Sequence, residues 1–383
     1  MKYSVLAACL TLAATGCSSK DTGASPEGAE PTTPPEDVLG ASGADPVWTP
    51  ILTSPRANTW SVTALDFNPE RPGELWATLR QFPSGRPCTE NDPRGCAALE
   101  GQVAVIEDAG GDEPSAELKM DPNAWHFMRR PTAISFGPGD TFATCGEART
   151  DNYDDDTFDY AGPVLWSSDP DVFGIEIPGK NGSHLDMLHD TPFCMGIAHE
   201  AGNAYWTFNG QDSSLDRYDF KEPHEIGGDY HGDGELLRFA LGAVKRSPEI
   251  PSHMVFDPKD AMLYVADTGN SRVARLDTKS GRQGRDVPSN DGLELSARID
   301  DAVVADFVAP GVLDAPTGIA LHRSTLFVTD NSTSEIHAYD REGTELRVLD
   351  TGLPAGSLAG LAISREGVVY VADMATGRVL RLE

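Results

Sequence analysis

Positive charge is what this 383-residue sequence has least of: 30 lysines and arginines stand against 60 aspartates and glutamates, a formal net charge of -30. No Lys/Arg-rich run exists to neutralise phosphates, which excludes a nucleic-acid partner. So acidic a surface also repels anionic lipid headgroups, favours solubility and attracts cations. Long apolar runs are equally scarce. Val5 to Ala14 is too short to span a bilayer as a helix, and no later segment does better. There is no Gly-x-Ser-x-Gly turn and no phosphate-cradling glycine loop with its lysine, so the nucleophilic and nucleotide chemistries built on them are unsupported. Sustained helical periodicity is almost absent.

The N-terminus has a short basic start, Met1-Lys2, an apolar run, and "ATGC" ending at Cys17. This resembles a bacterial lipobox, although Ala14 stands where leucine is usual. The resemblance implies a signal peptide over 1–17, with Cys17 acylated. The protein would then be exported to the outer membrane, cell surface or periplasm and touch membrane only through its lipid anchor. The alternative is an ordinary signal peptide cut near the same place, which exports the chain too. Residues 18–45 are rich in Ser, Thr, Gly, Pro and Glu, with Val38 and Leu39 their only large aliphatics, and read as a disordered linker. The folded part is expected over 46–383.

With Cys9 and Cys17 set aside, Cys88, Cys96, Cys145 and Cys194 remain. An even number in an oxidising setting suggests disulfides. Cys88 and Cys96 flank the turn-rich "TENDPRG" and are the first expected pair, while Cys145 and Cys194 either form a long-range bridge or stay free.

What the sequence does have is a repeat. "SHMVFDPKDAMLYVADTGNSRVARLDT" (252–278), "APTGIALHRSTLFVTDNSTSEIHAYDR" (315–341) and "LAGLAISREGVVYVADMATGRVLRLE" (358–383) share one pattern. Each has an apolar strand, a turn, a second strand ending in Asp, a small-residue turn and a third strand. These units resemble NHL repeats. Weaker copies at 62–79, 131–146 and 194–210 bring the count to six, which predicts an all-β, six-bladed β-propeller. The last copy ends the sequence after three strands, so "VWTPILTS" (47–54) is expected to complete its blade and close the ring. A monomer is expected.

In such a blade, strands a to d run from the axis outward. The b–c and d-to-a connections then share one face, here the top, and carry most of the long insertions: 80–100, 121–130, 147–161, 179–193 and 287–315. The residues opening the a strands, Thr63, Thr132, Cys194, His253, Thr317 and Ala359, are expected to line the channel. His126, His184 and His189 lie just ahead of a strands, whereas His199, His224 and His231 fall on the opposite face. This placement makes His126, His189 and His253, with His184 or Cys194 as a fourth donor, candidate ligands for zinc or copper at the channel mouth. The competing reading is that these side chains hydrogen-bond loops there. Calcium has weaker support: "DNYDDDTFD" (151–159) and "DYHGDGE" (229–235) are acidic, but neither completes an EF-hand loop. Asp267, Asp330 and Asp373 close b strands and are read as tying turns.

"PSHMVFDPKDAMLYVAD" resembles the zinc-histidine strand of peptidyl-hydroxyglycine amidating lyases, which are six-bladed propellers, and places His253 at the liganding position. That resemblance implies a metal-dependent lyase, with Arg129 and Arg130 as candidate groups facing an anionic substrate. The Glu, Asn and Asp set of gluconolactonase-like propellers is missing from the a-strand openings. Ranked slightly ahead of an enzyme is a ligand- or partner-binding module acting on a small molecule or a protein, because rigid propellers serve widely as platforms.

Overall fold

The computed structural model describes residues 38–54, 60–81, 99–152 and 160–383. Cys17 with the rest of the signal peptide, residues 18–37 of the linker, the proposed Cys88–Cys96 pair and residues 153–159 of the acidic stretch lie outside these residues. The chain is a six-bladed β-propeller. Strand β1 (Trp48–Thr53) precedes blade 1, which is formed by β2 (Trp60–Phe67), β3 (Leu75–Gln81), β4 (Gly101–Glu107) and β5 (Ser115–Lys119). Blade 2 contains β6 (Pro131–Phe136), β7 (Thr141–Gly146), β8 (Val164–Ser167) and β9 (His184–Met187). Blade 3 contains β10 (Cys194–Ala201), β11 (Ala204–Asn209), β12 (Ser214–Asp219) and β13 (Glu235–Phe239).

Blade 4 is β14 (Met254–Asp257), β15 (Met262–Asp267), β16 (Arg272–Asp277) and, after a hairpin of β17 (Arg282–Asp286) and β18 (Leu295–Asp300), its outer strand β19 (Val303–Val308). Blade 5 is β20 (Pro316–His322), β21 (Thr325–Asp330), β22 (Glu335–Tyr339) and β23 (Glu345–Asp350). Blade 6 has three strands from the end of the chain, β24 (Leu358–Ile363), β25 (Val369–Asp373) and β26 (Arg378–Leu382). Its fourth is β1, paired antiparallel with β26 from Trp48↔Leu382 to Thr53↔Arg378. N- and C-terminal segments thus share one sheet.

Period-two strands give each blade two apolar faces, and each face packs on a neighbouring blade. Trp76 lies 5.4 Å from Phe136 and 4.9 Å from Phe142, ring centre to ring centre, which joins blades 1 and 2. Met187 and Met195 are buried core residues. Inner strands approach so closely that Gly196 is required: a Cβ there would sit 2.0 Å from the Ser252 carbonyl oxygen. Asp267, Asp330 and Asp373 are buried and accept hydrogen bonds from the turns that follow them or from neighbouring connections.

Three features differ from the sequence reading. Val38 and Leu39, assigned to the linker, are buried against blades 5 and 6 among Phe327, Ile336 and Leu349, so the packed unit reaches back at least to Val38. The 179–193 stretch is not all loop, because it holds β9. The 287–315 stretch contains β18 and β19, and the β17–β18 hairpin is a c–d insertion that extends blade 3 through parallel β13–β18 pairing. A c–d insertion can seek a neighbouring outer edge because outer strands leave backbone groups unpaired.

Candidate functional site

The residues that open the inner strands do not line the channel as expected; they knit the ring. Thr63 Oγ1 donates to the Pro131 carbonyl (3.0 Å), Thr132 Oγ1 to that of Cys194 (2.7 Å) and Thr317 Oγ1 to that of Pro251, just ahead of β14 (2.7 Å), each bond crossing to an adjacent blade. All six opening residues are buried, and of them only His253 reaches the axial cavity. That cavity, about 240 Å³, is walled mainly by the second halves of the six inner strands, where they run into the a–b turns. It therefore occupies the half of the channel opposite the expected site. Most of its lining is aliphatic, with Asp66, Ser135, His199 and His253 as polar side chains.

His253 Nε2 is 2.9 Å from the Thr132 carbonyl, across the axis on blade 2, and its Nε2–H donates there. Burial pushes its pKa down to about 4, so the ring is neutral near pH 7. Asp66 accepts hydrogen bonds from the amides of Phe67 (2.9 Å) and Phe136 (2.8 Å). Removal from bulk water outweighs both bonds and pushes its carboxyl up to about 7. At neutral pH this group can donate or accept a proton. His199, whose ring bonds the Gly202 carbonyl at 2.9 Å, is also held below the ordinary imidazole range by burial.

A cluster of charged side chains lies where b strands end and inner strands begin. Arg80, at the end of β3, and Glu147, just past β7, are both buried and lie 3.2 Å apart. Arg246 meets Glu147 at 2.7 Å, Arg130 meets Glu249 at 2.6 Å, and Arg80 donates to the Glu249 carbonyl. Arg130, a candidate for substrate contact, is thus committed to carboxylates. Arg129 is buried, and its guanidinium donates to the carbonyls of Thr150 and Asn152 at 2.7 Å each. The two arginines do not face a shared substrate position.

The expected metal set does not assemble either. Cys194 is disulfide-bonded to Cys145, with Cα atoms 5.7 Å apart, so it offers no thiolate; the bond ties blade 2 to blade 3. His126 bonds the Asp151 carbonyl at 2.7 Å, and His189 Nδ1 meets Asp291 from the β17–β18 hairpin at 2.6 Å. His253 belongs to the cavity. His184 is buried in β9, its ring stacked 3.9 Å from that of Phe127. Its ring centre is 5.0 Å from that of His224 and 6.4 Å from that of His231, both on the β12–β13 connection of blade 3. Burial, then these two imidazoles, hold its pKa down to about 3.

Among the described residues, the trio of metal-capable groups that converges is Asp186, His224 and His231, with donor atoms within 4.8 Å of one another. The sequence reading placed His224 and His231 on the far face, left them outside the candidate set, and did not single out Asp186. A signal existed: "HLD" puts His184 and Asp186 two apart on a strand, hence on one side of it.

No protein-family model matches the chain, and no curated protein matches it in sequence. Solved structures do match. A protein of unknown function from Bacteroides thetaiotaomicron VPI-5482 superposes with a TM-score of 0.53 at 10% identity, covering 85% of this chain and 69% of that one. An auxiliary nutrient binding protein from Bacteroides ovatus ATCC 8483 gives 0.53 at 11% identity, with 88% and 76% covered. A streptogramin B lyase gives 0.48 at 12% identity, with 88% and 98% covered. The first two likenesses show the fold and nothing finer. Together with the site geometry they define the class: a six-bladed propeller with a cavity among its inner strands and a network of buried ion pairs near their opposite ends.

Proposed function

We propose that this chain is an exported, lipid-anchored propeller of the NHL type that binds a small ligand in its axial cavity. The cavity carries the proposal: about 240 Å³, walled by the edges of inner strands and their aliphatic residues, with four polar side chains from four different blades. That volume is below the roughly 300–1,000 Å³ of sites for drug-sized molecules, so the ligand is a compact one. Asp66, poised between its two protonation states, suits a neutral polar or cationic group on a compact body with both polar and apolar surface. The Cys145–Cys194 bond fits an oxidising, extracytoplasmic setting, and Cys17 supplies the anchor.

The test is a thermal-shift screen of the purified protein against small amines, sugars and amino acids, repeated with Asp66→Ala. The expected result is a compound that stabilises the wild type and loses most of its effect in the variant. A panel without any stabilising compound, or a crystal structure of a hit bound outside the cavity, would refute the assignment.

A further inference from the structure

The histidines between blades 2 and 3 are arranged independently of the cavity. Asp186 lies on β9 and is 1% exposed; its Oδ1 accepts from the Met187 amide (2.7 Å) and meets His231 Nδ1 (2.8 Å). Its Oδ2 is buried and has no hydrogen-bond partner. The same holds for His184 Nδ1 and His224 Nε2. Three orphaned buried atoms in one cluster are costly, since each forfeits its hydration without replacement. His224 explains how the cost is directed: its Nδ1–H donates to the Glu225 carbonyl at 2.7 Å, which leaves Nε2 as a lone pair. A backbone carbonyl holding one ring nitrogen so that the other can coordinate is the usual support of a histidine ligand. The connection is seated on β9 without any ion, because the Gly227 amide donates to the His184 carbonyl (2.8 Å) and Lys180 pairs with Glu225 (2.8 Å). Gly227 has φ +62° and no room for a Cβ, 2.7 Å from the Gly182 oxygen.

We propose that Asp186, His224 and His231, with His184 as fourth donor, form a zinc site that staples the β12–β13 connection of blade 3 to the outer strand of blade 2. Nitrogen donors with one carboxylate suit zinc, and calcium would need six or more oxygens. Donors around tetrahedral zinc sit about 3.4 Å apart, so a set already within 4.8 Å closes by small side-chain movements. His224 and His231 are half-buried, which gives an ion a path from solvent. Coordination through His231 Nδ1 moves the ring proton to Nε2, so the imidazole stays neutral while the ion takes the place of the hydrogen bond to Asp186. This site stands apart from the channel and does not depend on what the cavity binds.

The experiment uses the purified chain, stripped of metal with a chelator and titrated with zinc chloride by calorimetry, with calcium chloride alongside. One equivalent of zinc should bind and raise the melting temperature, while calcium does neither. His224→Ala and His231→Ala should each weaken binding about 100-fold or more, and His337→Gln, in blade 5, should leave it unchanged. Circular dichroism of the metal-free variants establishes that they are folded. Cobalt(II) added to the wild type should give the strong visible bands of a tetrahedral site, a readout that requires no variant. Absence of saturable zinc binding, octahedral cobalt spectra, or equal affinity in wild type and folded His224→Ala would overturn the assignment.

Discussion

Asp66→Asn should make the protein less sensitive to rising pH. Burial pushes the Asp66 carboxyl from 3.8 to about 7, so the folded state holds a proton that the unfolded chain releases. For a group whose pKa is raised on folding, the stabilising contribution is complete below pH 3.8 and is lost as pH rises through about 7. The full loss is about 4 kcal/mol, of which about 2–3 falls between pH 5 and pH 8. Asp66 is half-buried and lines the cavity, so the lower figure is the better expectation. Asparagine does not titrate, and it offers one acceptor oxygen to two amides, Phe67 and Phe136, a cost of about 1 kcal/mol at every pH. Urea unfolding of both proteins at pH 5 and pH 8 isolates the effect. Asp121, Asp186 and Asp267 are also raised by burial, and the acidic surface repels itself more at high pH, but both contributions cancel in the difference. The variant should gain about 2 kcal/mol on the wild type between the two conditions. A difference that stays flat, or moves the other way, would show that Asp66 is ionised in the folded protein.

Two further perturbations probe the ring. The Cys145–Cys194 bond closes a loop of 49 residues, for which chain entropy predicts about 4 kcal/mol. Reductant should leave the native protein intact, since both cysteines are buried, yet lower the urea midpoint once unfolding exposes them; an unchanged midpoint after verified reduction refutes this. Deleting everything before Trp60 removes β1, with buried Ile51 and Leu52, and bares the edge of β26. At about 2 kcal/mol for each apolar side chain, plus the strand's ladder, the truncated chain should be insoluble or unfolded by circular dichroism. A soluble, cooperatively melting product would show that ring closure is dispensable.

The architecture was legible because blades repeat, and three copies at 252–383 retain the Val/Tyr/Phe alternation ending in Asp. The channel was not. Reading it required knowing which side chains face the axis, and a blade turns both its faces toward neighbouring blades. The axis therefore meets mostly strand edges, and Thr63, Thr132 and Thr317 direct their hydroxyls to an adjacent blade. The histidines failed for a related reason. A sequence orders His126, His184 and His189 by proximity along the chain, but the β12–β13 connection folds back over β9 and brings His224 and His231 to Asp186. Loop path, not strand pattern, decides such contacts, and periodicity carries no information about it.

Two sites on one ring raise the question of whether they can act on each other. The cavity is walled by inner strands, while the Asp186, His224 and His231 cluster joins an outer strand to a c–d connection. Between them, blade 2 is held to blade 3 near the axis by the Cys145–Cys194 bond and the Thr132–Cys194 hydrogen bond. A metal on the outer flank would add a second tie across the same seam, at the radius where blades are otherwise joined least. Coupling requires the seam to have two arrangements that each ligand favours differently. A seam fixed by a disulfide on the inside and by a backbone bond from Gly227 to His184 on the outside has little freedom to provide them. Zinc should therefore stabilise the fold without shifting cavity affinity, and the two sites should respond separately to Asp66 and to His224 substitutions.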